Sequence, residues 1–283
     1  DDNGNILSVS DGTNKTTYVY DSANQLLREN NQAAGKTTVW TYDDAGNILT
    51  RKEYAYTTGT VGTATDTVAY TYDEGDWGDK LIAYDGQTIT YDQIGNPKKI
   101  GEWSYTWKHG RELASMTKGS TTWEHTYNAD GLRTKRTDGT DTYEYVYLDG
   151  QLVQLTVNDD GTEVLMKFAY DADGTPLSIT YKGTTYYYVT NLQGDVLGVV
   201  NQSGNLLLSY TYDAWGNILS VGGSNKNTMG KYNPLRYRGY VYDEGTLKKI
   251  HHGVDLVKTL VPVFLCLFIL GGCTPPPPSP EFE

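Results

Sequence analysis

The stretch Thr41-Tyr42-Asp43-Asp44-Ala45-Gly46-Asn47-Ile48-Leu49 decides how the rest of the chain is read. It returns as Thr211-Tyr212-Asp213-Ala214-Trp215-Gly216-Asn217-Ile218-Leu219, with weaker versions in between. Before the Tyr the chain alternates: Thr37, Val39 and Thr41 point one way, Thr38, Trp40 and Tyr42 the other. Period-two alternation marks a strand with two different faces. After the Tyr comes a turn cluster, in which Gly supplies positive φ and Asp or Asn bonds its own backbone. A short apolar return follows, Ile48-Leu49 or Ile218-Leu219-Ser220-Val221. Strand, turn, strand is a β-hairpin.

The phrase recurs along most of the chain. Its aromatic anchors are Tyr20, Tyr42, Tyr72, Tyr91, Trp107, Tyr127, Tyr147, Tyr170, Tyr188, Tyr212 and Tyr242, a period of about 20 residues with a few longer loops. The residues assigned a structural repeat role are Tyr20, Asp21, Tyr42, Asp43, Gly46, Asn47, Tyr72, Asp73, Tyr91, Asp92 and Gly95, then Tyr170, Asp171, Gly174, Tyr212, Asp213, Gly216 and Asn217. A single hairpin is marginal in water. Stacked hairpins share one sheet and bury one face in common, as solenoids do. Tyr suits that face, because its ring supplies apolar area while its hydroxyl stays wet or finds a partner. The expected fold is all-β, a ribbon of antiparallel hairpins. Two interruptions are expected: a Thr/Gly-rich insertion over 54–66, as an exposed loop or irregular hairpin, and an irregular turn over 73–79.

Composition agrees. Tyr is present 25 times in 283 residues and Phe only 4 times. Tyr and Thr favour pleated, half-buried surfaces, and no helix of useful length is expected in residues 1–245. A net charge of −12 argues against a phosphate backbone as partner, so no nucleic acid is expected. The two cysteines, Cys266 and Cys273, lie near the C-terminus, so disulfides do not hold the β region together. Asp1-Asp2-Asn3-Gly4-Asn5-Ile6-Leu7 reads as a repeat without its opening Thr-Tyr, which implies a fragment of a longer chain.

Catalytic and metal chemistry is thinly represented. Asp171-Ala172-Asp173-Gly174 and Asn158-Asp159-Asp160-Gly161 hint at calcium loops, but an EF-hand needs Glu where Lys182 stands. Turn chemistry is the better reading. His251 and His252 are adjacent, so on a strand they face opposite ways. No Gly-x-Ser-x-Gly, Walker A or His-Glu-x-x-His pattern occurs. The expectation is therefore no enzyme, no catalytic residue, no metal site and no cofactor. Trp40, Trp77, Trp103, Trp107, Trp123 and Trp215 sustain one alternative, stacking on surface sugars as an adhesin or carbohydrate-binding module. Aromatic exposure decides between that and sheet packing.

The repeated Tyr-Asp-x-x-Gly-Asn-Ile/Leu resembles the YD repeat of the RHS family. The segment 233–243 (Asn-Pro-Leu-Arg-Tyr-Arg-Gly-Tyr-Val-Tyr-Asp) is similar to the opening of the RHS-associated core, its signature residues being Pro234, Leu235, Arg236, Tyr237, Arg238 and Gly239. The resemblance implies a β-ribbon that curves into part of a hollow shell. In bacterial polymorphic toxins and insecticidal toxin complexes such a shell encloses a C-terminal toxin. In cell-wall-associated relatives and animal teneurins it belongs to a surface protein. It further implies secretion or a bacterial cell-surface location, and as partners the remainder of the shell and an absent C-terminal effector, with cell-surface glycans under the adhesin alternative. The family pattern breaks at Glu244, and the Asp-Pro elements expected for self-cleavage are absent.

Four regions follow: a repeat region over 1–245, a divergent linker over 246–258, a hydrophobic segment over 259–273 and a Pro-rich, disordered tail over 274–283. The hydrophobic segment is short for a membrane span, which needs about 20 residues. With Lys258 upstream and Leu270-Gly271-Gly272-Cys273 at its end, it reads as a lipoprotein-type signal, with Cys273 in the lipidated position. A gene fusion or frameshift accounts for such a signal at a C-terminus. The competing readings are a weak membrane anchor and a hydrophobic tail that packs or aggregates.

Overall fold

A computed structural model describes residues 1–75 and 78–242. The expectations for Trp77, Asp243, His251, His252, Cys266, Cys273 and the three C-terminal regions lie outside the described residues.

The chain forms an antiparallel sheet of 21 strands. The first seven are β1 (Ser8–Ser10), β2 (Lys15–Tyr20), β3 (Leu26–Asn31), β4 (Lys36–Tyr42), β5 (Ile48–Ala55), β6 (Asp66–Tyr72) and β7 (Leu81–Tyr84). The next seven are β8 (Gln87–Tyr91), β9 (Pro97–Ile100), β10 (Trp103–Lys108), β11 (Glu112–Lys118), β12 (Thr121–Tyr127), β13 (Arg133–Thr137) and β14 (Thr142–Leu148). The last seven are β15 (Gln151–Asp159), β16 (Thr162–Tyr170), β17 (Pro176–Tyr181), β18 (Thr184–Thr190), β19 (Val196–Val200), β20 (Leu206–Tyr212) and β21 (Ile218–Gly222). Each strand pairs with its neighbours in sequence, a continuous meander. The described helices are the four-residue α1 (Met229–Tyr232) and a 3₁₀ turn at Tyr237–Gly239.

Two kinds of turn recur along the ribbon. Several hairpins close on two residues that both have positive φ: Asp85-Gly86, Asp149-Gly150, Asp160-Gly161 and Lys182-Gly183. Positive φ at both central residues matches the right-handed twist of the flanking strands. Others carry the five-residue Tyr-Asp turn, and the register shifts at the aromatic anchors, including Tyr147 before Asp149-Gly150. Thr41 faces Thr50 and Tyr42 faces Ile48, so Leu49 is the extra residue of a bulge. The same shift recurs at Tyr20, Tyr72, Tyr91, Trp107, Tyr127, Tyr147, Tyr170 and Tyr212. A bulge bends its strand and adds twist, so one per repeat curls the ribbon.

The curl returns the chain to its start. The Ala214 amide, in the turn after β20, donates to the Glu29 carboxyl on β3 at 3.3 Å, and Trp215 packs on Trp40 of β4 with ring centroids 6.4 Å apart. Yet β1 pairs with β2 and β21 with β20, so the sheet is not closed.

The core follows the alternation. In β16 Val164, Met166 and Phe168 are buried while Leu165, Lys167 and Ala169 are exposed. The largest apolar cluster runs from Tyr145 through Met166, Ile179, Val199 and Leu208 to Met229 and Leu235. In β4 the alternation is overridden, because Thr37 and Trp40 are both buried. The insertion supplies the reason. Its Thr57 carbonyl accepts from the Thr37 hydroxyl at 2.9 Å and from Arg28 at 2.7 Å. The stretch 56–65 is irregular, with most of its residues exposed, and part of it covers one face of β3 and β4.

Candidate functional site

The repeated residues form a seam. The Tyr42 hydroxyl donates to the Leu26 carbonyl at 2.8 Å, at the start of the preceding return strand. The pattern repeats as Tyr20 to Ile6 (3.2 Å), Tyr72 to Ile48 (3.1 Å), Tyr91 to Leu81 (2.5 Å) and Tyr127 to Leu113 (3.1 Å). It continues as Tyr147 to Arg133 (3.2 Å), Tyr170 to Leu152 (2.8 Å) and Tyr212 to Val196 (2.7 Å). Trp107 substitutes its indole N–H, donating to Pro97 at 2.6 Å. Each anchor thus links its hairpin to the one before. Burial, with a nearby aspartate, pushes the phenols of Tyr42, Tyr72 and Tyr91 up to about 12, so they stay protonated donors at neutral pH.

The Asp after the anchor builds the turn. Asp43 Oδ1 accepts the amides of Ala45 (3.0 Å) and Asn47 (2.8 Å), and Oδ2 accepts the Asn47 side chain at 2.9 Å. Asp92 does the same with Ile94 and Asn96, and Asp213 with Trp215 and Asn217. Asp21 holds Ala23 and Gln25, and Asp171 holds Asp173 and Thr175. Gly46, Gly95, Gly174 and Gly216 each sit at positive φ in the fourth place. Asp73 differs: it opens a longer loop, closed by its own N–H to the Lys80 carbonyl at 2.9 Å. The repeat Asn reaches forward, Asn47 to the Gly78 carbonyl at 3.3 Å and Asn96 to the Gly110 carbonyl at 2.7 Å. The anchors tie units backward, and Asn47 and Asn96 tie theirs forward as well.

Two units escape a search for aromatics. The bulge on β18 lies at Thr190, two residues beyond Tyr188, and Asn191 takes the Asp role by accepting the Gln193 and Asp195 amides. Another bulge lies at Val200, where Asn201 accepts from Ser203 and Asn205. The signal present in both is Asn followed three residues later by Gly, at Gly194 and Gly204. Tyr188, freed from the anchor position, donates to Asn233 at 2.6 Å.

Asn233 belongs to the signature segment, which packs onto the last strands. Asn233, Pro234, Leu235 and Arg236 are buried. Arg236 donates to the carbonyls of Asn233 (3.2 Å) and Gly230 (3.1 Å), and its guanidinium lies 4.0 Å from the Tyr242 ring and 5.0 Å from that of Tyr210. Tyr237 sits over Tyr212 at 5.7 Å. Arg238, at φ 52, donates its amide to Asp195 at 3.0 Å, and Gly239 approaches Pro176.

These contacts are structural in kind. Among the described residues, no group of three His, Cys, Asp or Glu side chains is placed to hold a metal ion, and no helix is long and apolar enough to cross a membrane. A cavity of about 390 Å³ lies where the ribbon's ends meet, with Tyr20, Gln25, Tyr42 and Trp215 on its walls. It brings no acid–base pair together.

An open antiparallel ribbon, curled by one bulge per repeat and tied by tyrosine hydroxyls, defines a repeat protein of the YD type. The Teneurin YD-shell family model matches residues 3–253, and the chain belongs to that family. It is 33% identical over 231 residues to a tRNA3(Ser)-specific nuclease WapA of Bacillus spizizenii and 32% identical over 231 residues to a tRNA nuclease WapA of Bacillus subtilis. Each match covers 80% of this chain and 9% of the relative, so the chain spans under a tenth of those proteins. The crystal structure of TcdB2-TccC3-TEV matches with a TM-score of 0.56 and 15% identity, over 86% of this chain and 14% of that one. That of TcdB2-TccC3-Cdc42 gives 0.54 and 14%, over 81% and 13%. These two likenesses concern the fold.

Proposed function

We propose that the chain is a wall segment of a larger bacterial RHS-type shell, secreted or displayed at the cell surface, that encloses an effector carried elsewhere in the parent protein. The observation that carries this reading is the tyrosine seam. Repeated hydroxyl-to-carbonyl bonds join consecutive hairpins, so the repeated side chains are spent on cohesion between units. The partners are the rest of the shell and the effector. The Pro234–Gly239 signature packs onto the last strands and adds to the cohesion of the wall. Cys273 and the hydrophobic stretch 259–273 keep their reading as a lipoprotein-type signal, which mass spectrometry of the expressed chain checks as an acylated Cys273.

Aromatic exposure supports the wall over the adhesin. Trp40, Tyr70, Tyr84, Trp103, Trp123, Tyr145, Tyr181 and Tyr210 are buried, whereas Tyr56, Tyr187, Trp215 and Tyr240 are the exposed aromatics among the described residues. Those four are scattered along the chain and form no row of platforms.

Because two relatives are named as tRNA nucleases, the test is direct. Purified chain is incubated with total tRNA, with and without divalent metal. A wall segment leaves the tRNA intact. Cleavage that co-purifies with the chain through successive columns overturns the reading.

A further inference from the structure

Two carboxyl groups, Glu29 and Asp213, sit together where the curled ribbon meets itself. Glu29 on β3 is 2% exposed. Its Oε1 accepts from Asn31 at 3.2 Å, and its Oε2 accepts the Ala214 amide from a turn 185 residues away. Asp213 immediately precedes that amide. Glu29, Glu53 and Asp213 line one small cavity together with Lys36. The groups around the pair come from every packed element: Tyr18 and Tyr20 on β2, Lys36 on β4, Arg51 and Glu53 on β5, and Tyr237 of the signature segment. The cations are already engaged. Lys36 pairs with Glu53, and Arg51 pairs with Glu53 at 3.2 Å and Asp66 at 3.5 Å. The Glu29–Asp213 repulsion is thus only partly offset.

We propose that this joint is a pH-sensitive clasp: it holds while Glu29 carries a proton and loosens when Glu29 and Asp213 are both ionised. A protonated carboxyl still accepts the Ala214 amide through its carbonyl oxygen, so the closing contact survives neutralisation. Burial first, and then the Asp213 charge, push the Glu29 carboxyl up to about 7, against the lowering effect of its Asn31 and Ala214 hydrogen bonds. Burial likewise raises Asp213, against the lowering effect of its Asn217 and Trp215 hydrogen bonds and of Arg51. The sign follows from linkage. The closed joint binds a proton that the open joint releases, so its stabilisation is complete below the ordinary glutamate value of 4.5 and is lost as pH rises through about 7. The joint responds in this way whatever the shell encloses.

The experiment uses the whole chain and has two readouts. The first is hydrogen exchange at the Ala214 amide at pH 5 and pH 8, corrected for intrinsic rate, with the Ala45 amide of the equivalent turn as internal reference. Protection at Ala214 should fall on the order of tenfold to a hundredfold at pH 8, while Ala45 shows no such fall. In Glu29→Gln the Ala214 protection should differ far less between the two pH values than in wild type, since only Asp213 still titrates at the joint. The second readout, on wild type, is the carbon-13 titration of the Glu29 carboxyl, which remains decisive even if the variant fails to fold. A midpoint near 7 supports the clasp. A midpoint near 4.5, or equal Ala214 protection at both pH values in wild type, overturns it.

Discussion

The turns over 41–49 and 211–219 carry the same phrase, the same bulge and the same set of aspartate-to-turn hydrogen bonds, yet their aspartates are pushed in opposite directions. Asp43 is held below the usual carboxylate range, chiefly by the Asn47 side chain and amide. Asp213 accepts equivalent bonds from Asn217 but is raised by burial. Both residues keep some accessible surface. The difference is that the second turn meets the Glu29 carboxyl of β3 and Trp40 of β4, whereas the first bonds to the uncharged Gly78 carbonyl. Local sequence determines the hydrogen-bond pattern of a turn, and the surrounding protein determines what that pattern does to a charge.

The two turns differ most at their glycines. Gly46 and Gly216 both need positive φ, so Ala costs about 1–2 kcal/mol at either from backbone strain. At Gly46 the added Cβ meets only the Gln25 amide at 2.9 Å, the end of a flexible side chain. At Gly216 it runs into the Tyr237 ring, which is packed on Tyr212. Overpacking adds roughly 1–3 kcal/mol there, so urea unfolding should show Gly216→Ala clearly less stable than Gly46→Ala. Equal losses would mean that the signature segment does not rest on this turn.

The aspartates give the next effect, opposite in sign between the two turns. Asp43, with its lowered value, stabilises above the ordinary carboxylate range and loses that contribution as pH falls. Asp213, with its raised value, contributes more at low pH and loses that contribution as pH rises. Asp43→Asn should therefore destabilise at pH 8. Asp213→Asn should be neutral or stabilising there, because it removes a charge facing Glu29. Thermal melts at pH 5 and pH 8 for both variants check this, and parallel pH dependences would contradict it.

The smallest effect lies on the exposed face. Thr41 and Thr50 share a hydroxyl hydrogen bond of 2.7 Å, and Thr211 and Ser220 one of the same length. Cross-strand pairs of this kind contribute about 0.2–1 kcal/mol. Thr41→Ala and Thr211→Ala should cost similar amounts, since Thr41 and Thr211 are both exposed. A large difference in melting would show that the two outer faces are not alike.

Much of this architecture is legible in the residues. Alternation before Tyr42 marks the strand, Gly46 marks the positive-φ turn, and Ile48-Leu49 marks the return strand. The units at Thr190 and Val200 are hidden because their anchors are not aromatic, although Asn191 and Asn201 build the same turn. The covering of Thr37 by Thr57 is hidden because an insertion's path is decided by what it finds to bond with. The Glu29–Ala214 contact joins positions 185 residues apart and depends on twist summed over many bulges. No local pattern encodes that sum. The seam itself is half visible, since Tyr at each repeat announces burial but not the carbonyl that its hydroxyl reaches.

Tyr→Phe substitution at Tyr42, Tyr91, Tyr170 and Tyr212, one at a time and followed by equilibrium urea unfolding, measures how far tyrosine hydroxyls bind each hairpin to the one before. Each change keeps the ring and removes one donor from a carbonyl. A loss of about 0.5–1.5 kcal/mol is expected at every position, with the ribbon still unfolding in one transition. Four variants as stable as the parent chain would contradict that role, because the hydroxyl bonds would then add nothing to the cohesion of the wall.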